Sequence, residues 1–585
     1  MTAVVRSRRE SGRVRAETRD VVVREVDGHA ELAVRLRGVD VLRHPRANKG
    51  AGFTREERAA LGLDGMLPAH VSTFEEELER AYQGYGHHAT PLSKHVFLRS
   101  LQDTHEVMFY GLLARHLEEM LPIVYTPTVG DVVREYHRLG MAARGLVLPG
   151  TDPEAIRRAV YAWPDEDVRM IVATDSASIL GIGDRGHGGI AISIGKLALY
   201  TVAGGVRPEQ TLPVLIDVGT DREELLADPL YLGARHRRLT GEAYHRAVDA
   251  FVDAVRERWP EAIVQWEDFA KDAAFEVLDR HRGVLPSFND DIQGTGAVAL
   301  AGVLAACASK GERLRDQRIV IHGAGAGGAG VAWAITEGLR REGLSAEEAR
   351  RRVLVLDSKG LLIEGRRMEP YKATLAQPAD AVHGWTMAGE VPDLVETVHQ
   401  ARATVLLGLS GQPGAFTEAV VRWLASHTAH PIVFALSNPT SASEAHPGDV
   451  LRWSDGRALV ATGSPFGEVE HGGRMHTVAQ GNNAFVFPGL GLAAMLSGTR
   501  EVTDTMVLEA AYALAEHTER HCLEDGLVYP PVRDLREVAV RVCMRVMQQA
   551  ERDGVGRVPE EARGDLEAFV RSRMYVPGYL PIVAI

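Results

Sequence analysis

The chain has 585 residues, too many for one ordinary core, so two or more domains are expected. Apolar residues make up 45% and charged residues 25%, the composition of a soluble globular protein, and a net charge of −13 argues against a general nucleic-acid surface. Cys307, Cys522 and Cys543 are too few and too scattered for a disulfide framework or a thiolate cluster, no signal peptide opens the chain, and the longest apolar run (297–308) falls short of the ~20 residues of a membrane helix, so a reducing, cytoplasmic location with no membrane partner is expected.

Residues 1–44 read as an appended segment, arginine-rich and then β-like around Val21-Val22-Val23 and Leu32-Ala33-Val34. From 45 to 124 a helical domain is expected, with Val107, Phe109, Leu112, Leu113 and Leu117 marking the apolar face of one helix. Thr126 is suited to cap a helix that starts at Pro127 and ends at Gly140. Tyr125 then stands at the junction before that helix, where a side chain either faces a cleft or packs beneath the helix.

Between 169 and 291, four runs read as buried parallel strands separated by helices: 170–174, 212–216, 262–265 and 284–288. All four lead into acidic residues: Asp175, Asp217, Glu267-Asp268 and Asp290-Asp291. Ligands of parallel sheets sit beyond the carboxyl ends of the strands, so these carboxylates are candidates for one crevice. A single strand-end acid more often serves a loop or a cap, but two adjacent pairs at consecutive strands are harder to explain that way. Carboxylates with no cysteine or histidine nearby suit a hard divalent cation, Mg²⁺ or Mn²⁺. Lys196 interrupts an almost wholly apolar helix (190–200); it either snorkels to the surface or is buried against a carboxylate. Beside a metal its pKa would fall, and it could serve as a general base.

A second α/β unit opens at Gln317. A strand, then Gly323-x-Gly325-x-x-Gly328, then a helix is the context a dinucleotide fingerprint requires. The next strand ends in Asp357, suited to a ribose 2′-hydroxyl, after an inserted helical stretch (344–351). Further strands end near 411, 440 and 464. The expected fold class is α/β: a helical N-terminal region, a parallel α/β substrate and metal domain (125–292), a Rossmann-type domain (293–478), and a helical C-terminal region (479–552) that completes the substrate domain, followed by a tail (553–585).

The blocks YTPTVG (125–130), ILGIGD (179–184), GKLALYT (195–201), DVGT (217–220), QWEDFAK (265–271), FNDDIQGT (288–295), HGAGAGGAG (322–330), LSNPT (436–440), ATGSPF (461–466) and GNNAFVFPG (481–489) resemble, in order, those of the malic enzyme family in its large form. The resemblance implies oxidative decarboxylation of L-malate to pyruvate and CO₂ with NAD (NADP being the other option) and Mn²⁺ or Mg²⁺. It implies Glu267, Asp268 and Asp291 as metal ligands, Lys196 as general base held by Asp290, and Tyr125 as general acid. Ser178, Asn438 and Asn483 fall at substrate positions, and Asn438 also at a cofactor position. Gly323, Gly325, Gly328 and Asp357 fall on the cofactor turn and ribose contact, and Asp357-Ser358-Lys359-Gly360 is similar to the motif of NADP-using members. A homodimer or homotetramer is implied, with no nucleic-acid partner.

One position departs from the family: Ser178 stands where malic enzymes usually carry an arginine that clamps a malate carboxylate, and Arg185, seven residues on, is the candidate substitute. Malolactic enzymes, close relatives, depart at the same place. Conversion of malate to lactate and CO₂, or action on another 2-hydroxy diacid, is therefore the alternative reading. A catalytically silent nucleotide-binding member is the third, and the presence of Tyr125, Lys196, Glu267, Asp268, Asp290 and Asp291 argues against it.

Overall fold

The structure, a computed structural model, describes residues 20–585 apart from Asp27 and Leu180; the arginine-rich opening of the chain lies outside the described residues. The fold divides into two compact units. One takes in the described residues up to Val124 together with Leu139–Ala143 and Val576–Ile585; the other comprises Tyr125–Arg138 and Arg144–Tyr575.

In the first unit, strands β1 (Val21–Val26) and β2 (His29–Val34) form an antiparallel hairpin, and a strand from the far end of the chain, Ile582–Ala584, pairs in parallel with β2. The β-like opening and the C-terminal tail thus share one small sheet. Helices α1 (Arg55–Leu61), α2 (Phe74–Gly86) and α3 (Pro91–Thr104) are each capped by a threonine, Thr54, Thr73 and Thr90, that accepts a main-chain N–H three residues on. The single helix expected through Leu117 is two: α4 (Glu106–Arg115) stops at His116, and Leu117 opens α5 (Leu117–Val124).

The second unit begins at Tyr125. Here α6 (Thr128–Glu135) has Pro127 at its N-cap, not Thr126, and no side chain caps it. The helix starts one residue later than the sequence suggests, and the Val129 N–H donates to the Tyr125 carbonyl (2.8 Å) at its entry. A 3₁₀ turn extends it to Arg138, and Gly140, at φ +61°, closes the segment.

The first sheet is fully parallel, in the order β3 (Leu146–Pro149), β5 (Thr211–Asp217), β4 (Met170–Thr174), β6 (Ile263–Glu267), β7 (Ser287–Asn289). Strand β3 was not expected: four residues at an edge carry little periodicity. Conversely Val284, assigned to a strand by its apolar character, is 40% exposed and precedes β7. Because the chain steps from β4 to β5 on one side and to β6 on the other, the order reverses between β4 and β6, and a crevice opens at their carboxyl ends.

The second sheet runs β10 (Gly360–Leu361), β9 (Val353–Asp357), β8 (Ile319–His322), β11 (Val405–Gly408), β12 (Ile432–Ala435), β13 (Leu459–Thr462), β16 (Ala479–Gln480). It is parallel except for β10, and its order reverses between β8 and β11. A small hairpin, β14 (Val469–His471) and β15 (Arg474–His476), precedes its last strand.

Between the sheets the chain passes from β7 into a widened π-helical turn, Asp290–Gly294, and on into α8 (Thr295–Ser309). The continuous helical segment Asp290–Ser309 is longer than the apolar run read from sequence, and by length and composition alone it could cross a membrane. In the fold 78% of its most apolar window is buried, as in a core helix.

Candidate active site

Strand β6 delivers Glu267 at its last position, and the chain turns sharply at Asp268, whose φ of +56° places a non-glycine residue in the left-handed region at a cost of about 1–3 kcal/mol. That turn is held by the Asp268 N–H donating to Asp291 Oδ2 (2.8 Å) and by the Ser178 N–H donating to the Asp268 carbonyl (2.9 Å). The result is a cluster in which Glu267, Asp268 and Asp291 each offer a carboxylate oxygen within 4.8 Å of the others. Burial, opposed by Lys196 and reinforced by Asp291, Asp290 and Asp268, pushes Glu267 well above the usual carboxylate range. Burial likewise raises Asp291 to about 6, with Lys196 opposing and Asp290 adding to the rise. With Asp290 the site gathers four buried or half-buried carboxylates around one lysine, an excess of negative charge that a divalent cation would neutralise.

Lys196 comes from the middle of α7 (Ile190–Val202), every residue of which is buried. Its ammonium does not snorkel: only 1% of the residue is exposed, and it pairs with Asp290 Oδ2 and with Glu267 Oε1 (2.7 Å). The Asn483 amide donates to Asp290 Oδ2 (3.0 Å) and to Thr295 Oγ1 (3.0 Å), fixing the carboxylate that fixes the lysine. Burial alone would lower the Lys196 pKa, but Asp290 and Glu267 outweigh it and hold the group well above the lysine range. The lowered pKa expected from sequence is therefore not a property of the protein groups alone. Tyr125 lies beside it, the ammonium being 5.9 Å from the ring centroid. Burial, opposed by Lys196 and assisted by the carboxylates, raises the Tyr125 pKa well above its ordinary value, so the hydroxyl stays protonated.

The glycine turn follows β8. Gly323 adopts φ +122°, and a Cβ there would lie 2.2 Å from the Leu409 carbonyl oxygen; a Cβ on Gly328 would lie 1.7 Å from the Gly323 carbonyl oxygen. Only glycines allow the turn to fold this tightly against the end of β11, and Gly325 leads directly into α9 (Ala326–Arg341), whose N-terminus suits a pyrophosphate. Asp357 ends β9, and its carboxylate is held by Arg366, by Lys372 (3.4 Å) and by the Lys359 N–H (2.9 Å). Burial works against its charge, but Arg366 and the Lys359 N–H prevail and keep it below the usual carboxylate range.

One cavity of about 560 Å³ is lined by Tyr125, Ser178, Lys196, Glu267, Asp268 and Asp291 together with Gly323, Gly325, Asp357, Ser358, Asn438 and Asn483. The metal candidates, Lys196, Tyr125 and most of the cofactor candidates thus share one space, whereas Asp290 and Gly328 are not part of its lining. Three expectations change. Lys359 does not line the cavity, and its place is taken by Lys372, fifteen residues beyond Asp357 along a loop the sequence could not trace. Arg185 does not line it either, and its guanidinium donates to the Ile182 carbonyl (2.9 Å). The strand-end acids Asp175 and Asp217 serve structure: Asp175 pairs with Arg238 (2.9 Å) and accepts from Tyr244, while Asp217 accepts from the Gly219 and Ala234 N–H groups. Sequence reading missed Lys271 and Thr295, which also line the cavity. The FAK and QGT blocks contained them without a signal that separated them from their neighbours.

Two family models match the chain: "Malic enzyme, N-terminal domain" over residues 102–282 and "Malic enzyme, NAD binding domain" over 292–551. Among solved structures the fold is similar to that of the malic enzyme of Entamoeba histolytica (TM-score 0.55, 21% identity, 88% of this chain and 91% of that one) and of Pyrococcus horikoshii (TM-score 0.52, 24% identity, 78% and 89%). Curated relatives named NAD-dependent malic enzyme include those of Pseudomonas syringae pv. tomato, 44% identical over 94% of this chain and 97% of the relative, and of Sodalis glossinidius, 46% identical over 95% and 98%. Identity at that level over nearly the whole of both chains makes this protein a member of the malic enzyme family.

Proposed function

We propose that this chain catalyses NAD-dependent oxidative decarboxylation of L-malate to pyruvate and CO₂, with Glu267, Asp268 and Asp291 holding Mn²⁺ or Mg²⁺. The observation that carries the reading is that Lys196 and Tyr125 line the same cavity as those three carboxylates and the Gly323–Gly325 turn. The curated relatives at 44–46% identity are named NAD-dependent malic enzyme, which does not favour the lactate-forming alternative.

The donor set fits a hard cation: oxygen only, clustered, and carrying more negative charge than Lys196 offsets. Bound there, the cation supplies Lewis acidity toward substrate oxygens, and the bound nicotinamide supplies the hydride acceptor. Lys196 is placed to take the proton of the 2-hydroxyl, with Asp290 and Asn483 fixing its position. Tyr125, held protonated by its burial, is placed to return a proton to the carbon that has lost CO₂. The near-complete burial of Tyr125, Lys196 and Glu267 keeps bulk water from these transfers. Asp357 offers a carboxylate to a ribose 2′-hydroxyl and opposes a 2′-phosphate, which favours NAD over NADP.

Incubation of the purified protein with L-malate, Mn²⁺ and NAD⁺ tests the reading. NADH and pyruvate are expected in equal amounts, with loss of turnover on chelation and recovery on adding Mn²⁺ back. Lactate without net NADH, or no turnover, would overturn it.

Ser178 gives a separate prediction. Its side chain lines the cavity, where arginine would present a bidentate donor to a malate carboxylate. A hydrogen bond to a charged group is worth about 1.5–3 kcal/mol, so Ser178→Arg should lower KM for malate by about tenfold or more. An unchanged KM would mean that position 178 does not meet the substrate.

A further inference from the structure

Glu267 has a partner on each of its oxygens. Oε1 is ion-paired with the Lys196 ammonium (2.7 Å), and Oε2 accepts from the side-chain amide of Gln265 (2.9 Å). The Gln265 carbonyl oxygen in turn accepts from the Tyr200 hydroxyl. Gln265 and Tyr200 are fully buried, and Tyr200 packs on the ring of Phe487 at 5.1 Å between centroids.

The arrangement follows from two matched periods. Lys196 and Tyr200 are four residues apart on α7, one face of a helix, with a rise of about 6 Å. Gln265 and Glu267 are two apart on β6, one face of a strand, with a rise of about 6.6 Å. The helix and the strand therefore meet in two rungs, Lys196 to Glu267 and Tyr200 to Gln265, and the Gln265–Glu267 bond braces one rung to the other.

We propose that Gln265 is a positioning residue for the metal site, its amide oriented by Tyr200 so that the Glu267 carboxylate is fixed for the cation. This rests on the reading of Glu267, Asp268 and Asp291 as the metal ligands. The terminal torsion of a glutamate is soft and two-fold, so a lone carboxylate at the end of β6 would rotate; the Gln265 amide on Oε2 and the Lys196 ion pair on Oε1 stop it. A carboxylate has about four lone-pair sites, so two donors leave sites open for a cation. The amide orientation is dictated as well. Flipped, Gln265 would set its carbonyl oxygen against Glu267, acceptor against acceptor, in a site with no exposure to water. Outer partners of this kind typically change metal affinity by about 10- to 100-fold when removed.

The test reads metal binding without turnover: free Mn²⁺ is measured by electron paramagnetic resonance during titration of the protein with no malate or NAD present. Gln265→Leu is expected to weaken Mn²⁺ binding by about 10- to 100-fold. Tyr200→Phe, which removes one oxygen and leaves the ring packing intact, should weaken it in the same direction by less. The double variant should bind no more weakly than Gln265→Leu, because Tyr200 acts through the amide. Wild-type affinity in both single variants would make the pair a packing feature and overturn the inference. Where Gln265→Leu does not fold, wild-type affinity in Tyr200→Phe alone overturns it. Glu267→Gln separates the two readings: if it binds Mn²⁺ as tightly as wild type, the metal site itself is misassigned and the inference falls with it.

Discussion

Replacing Lys196 by alanine or methionine is expected to lower kcat by about 100- to 10,000-fold, the range for loss of a general base, while Mn²⁺ binding persists. The residue is buried in an apolar helix, and its ammonium touches two carboxylates, Asp290 and Glu267. Both variants keep Glu267, Asp268 and Asp291, the Gln265 amide still holds Glu267 Oε2, and loss of the nearby positive charge favours the cation, which offsets the loss of the Lys196 contact to Oε1. A base must be deprotonated to act, so wild-type kcat/KM should rise with pH through the ionisation of Lys196. Both variants should lose that ionisation from the profile, which a merely structural role would leave in place. There is a structural cost: breaking a buried ion pair costs about 3–5 kcal/mol because the surviving carboxylates stay buried. Lys196→Met keeps the side-chain volume and limits that cost to charge alone, so thermal unfolding of the two variants shows how much of the loss is folding. A kcat within tenfold of wild type in both, with the rise in kcat/KM intact, would remove Lys196 as the base.

The site was legible in sequence where a local period fixed what a residue must face. A lysine inside an otherwise apolar helical run has few places to go, and acidic pairs at the ends of two neighbouring parallel strands converge because the strands do. Asp268 against Asp291 follows from that, whereas Asp290 as the partner of Lys196 was implied by the family resemblance, and the contact of Lys196 with Glu267 was not foreseen. The same rule could not separate Asp175 and Asp217 from the true cluster, since a strand end looks the same in sequence whether the loop beyond it supplies an Arg238 or a row of N–H groups. It failed at Lys359 for a related reason. Distance along a loop says little about distance in space, and the loop after β9 returns to bring Lys372, not Lys359, into the cavity. Pairings across long separations were invisible altogether: β2 joins a strand that begins more than 540 residues later, and four-residue β3 carried too little pattern to be seen. The two-rung contact of α7 with β6 lay between these cases. Both spacings were present in the sequence, but nothing there showed that side chains of this helix reach those of this strand.

Two glycines of the cofactor turn should respond to the same substitution in different ways. A Cβ at Gly328 would sit 1.7 Å from the Gly323 carbonyl oxygen, a contact between backbone atoms with no flexible side chain to move aside. Gly328→Ala must therefore displace the turn, at about 1–3 kcal/mol for overpacking, and lower the melting temperature by a few degrees. Moving the start of α9 also withdraws N–H groups from the pyrophosphate. Each such bond to a charged group is worth about 1.5–3 kcal/mol, so NADH affinity should fall by about 10- to 150-fold. At Gly325 the same Cβ would meet nothing closer than Lys271 Cε at 3.7 Å, an ordinary contact, and the backbone there is extended. The protein alone tolerates Gly325→Ala, so its melting temperature should match wild type. Gly325 lines the cavity, however, where the backbone must approach the pyrophosphate closely, and the added methyl would crowd the cofactor. NADH affinity should then fall with no loss of stability. Fluorescence titration with NADH and thermal unfolding, run on both variants, separate the two effects. Loss of stability without loss of NADH affinity in Gly328→Ala, or wild-type NADH affinity in Gly325→Ala, would show that the cofactor does not lie on this turn.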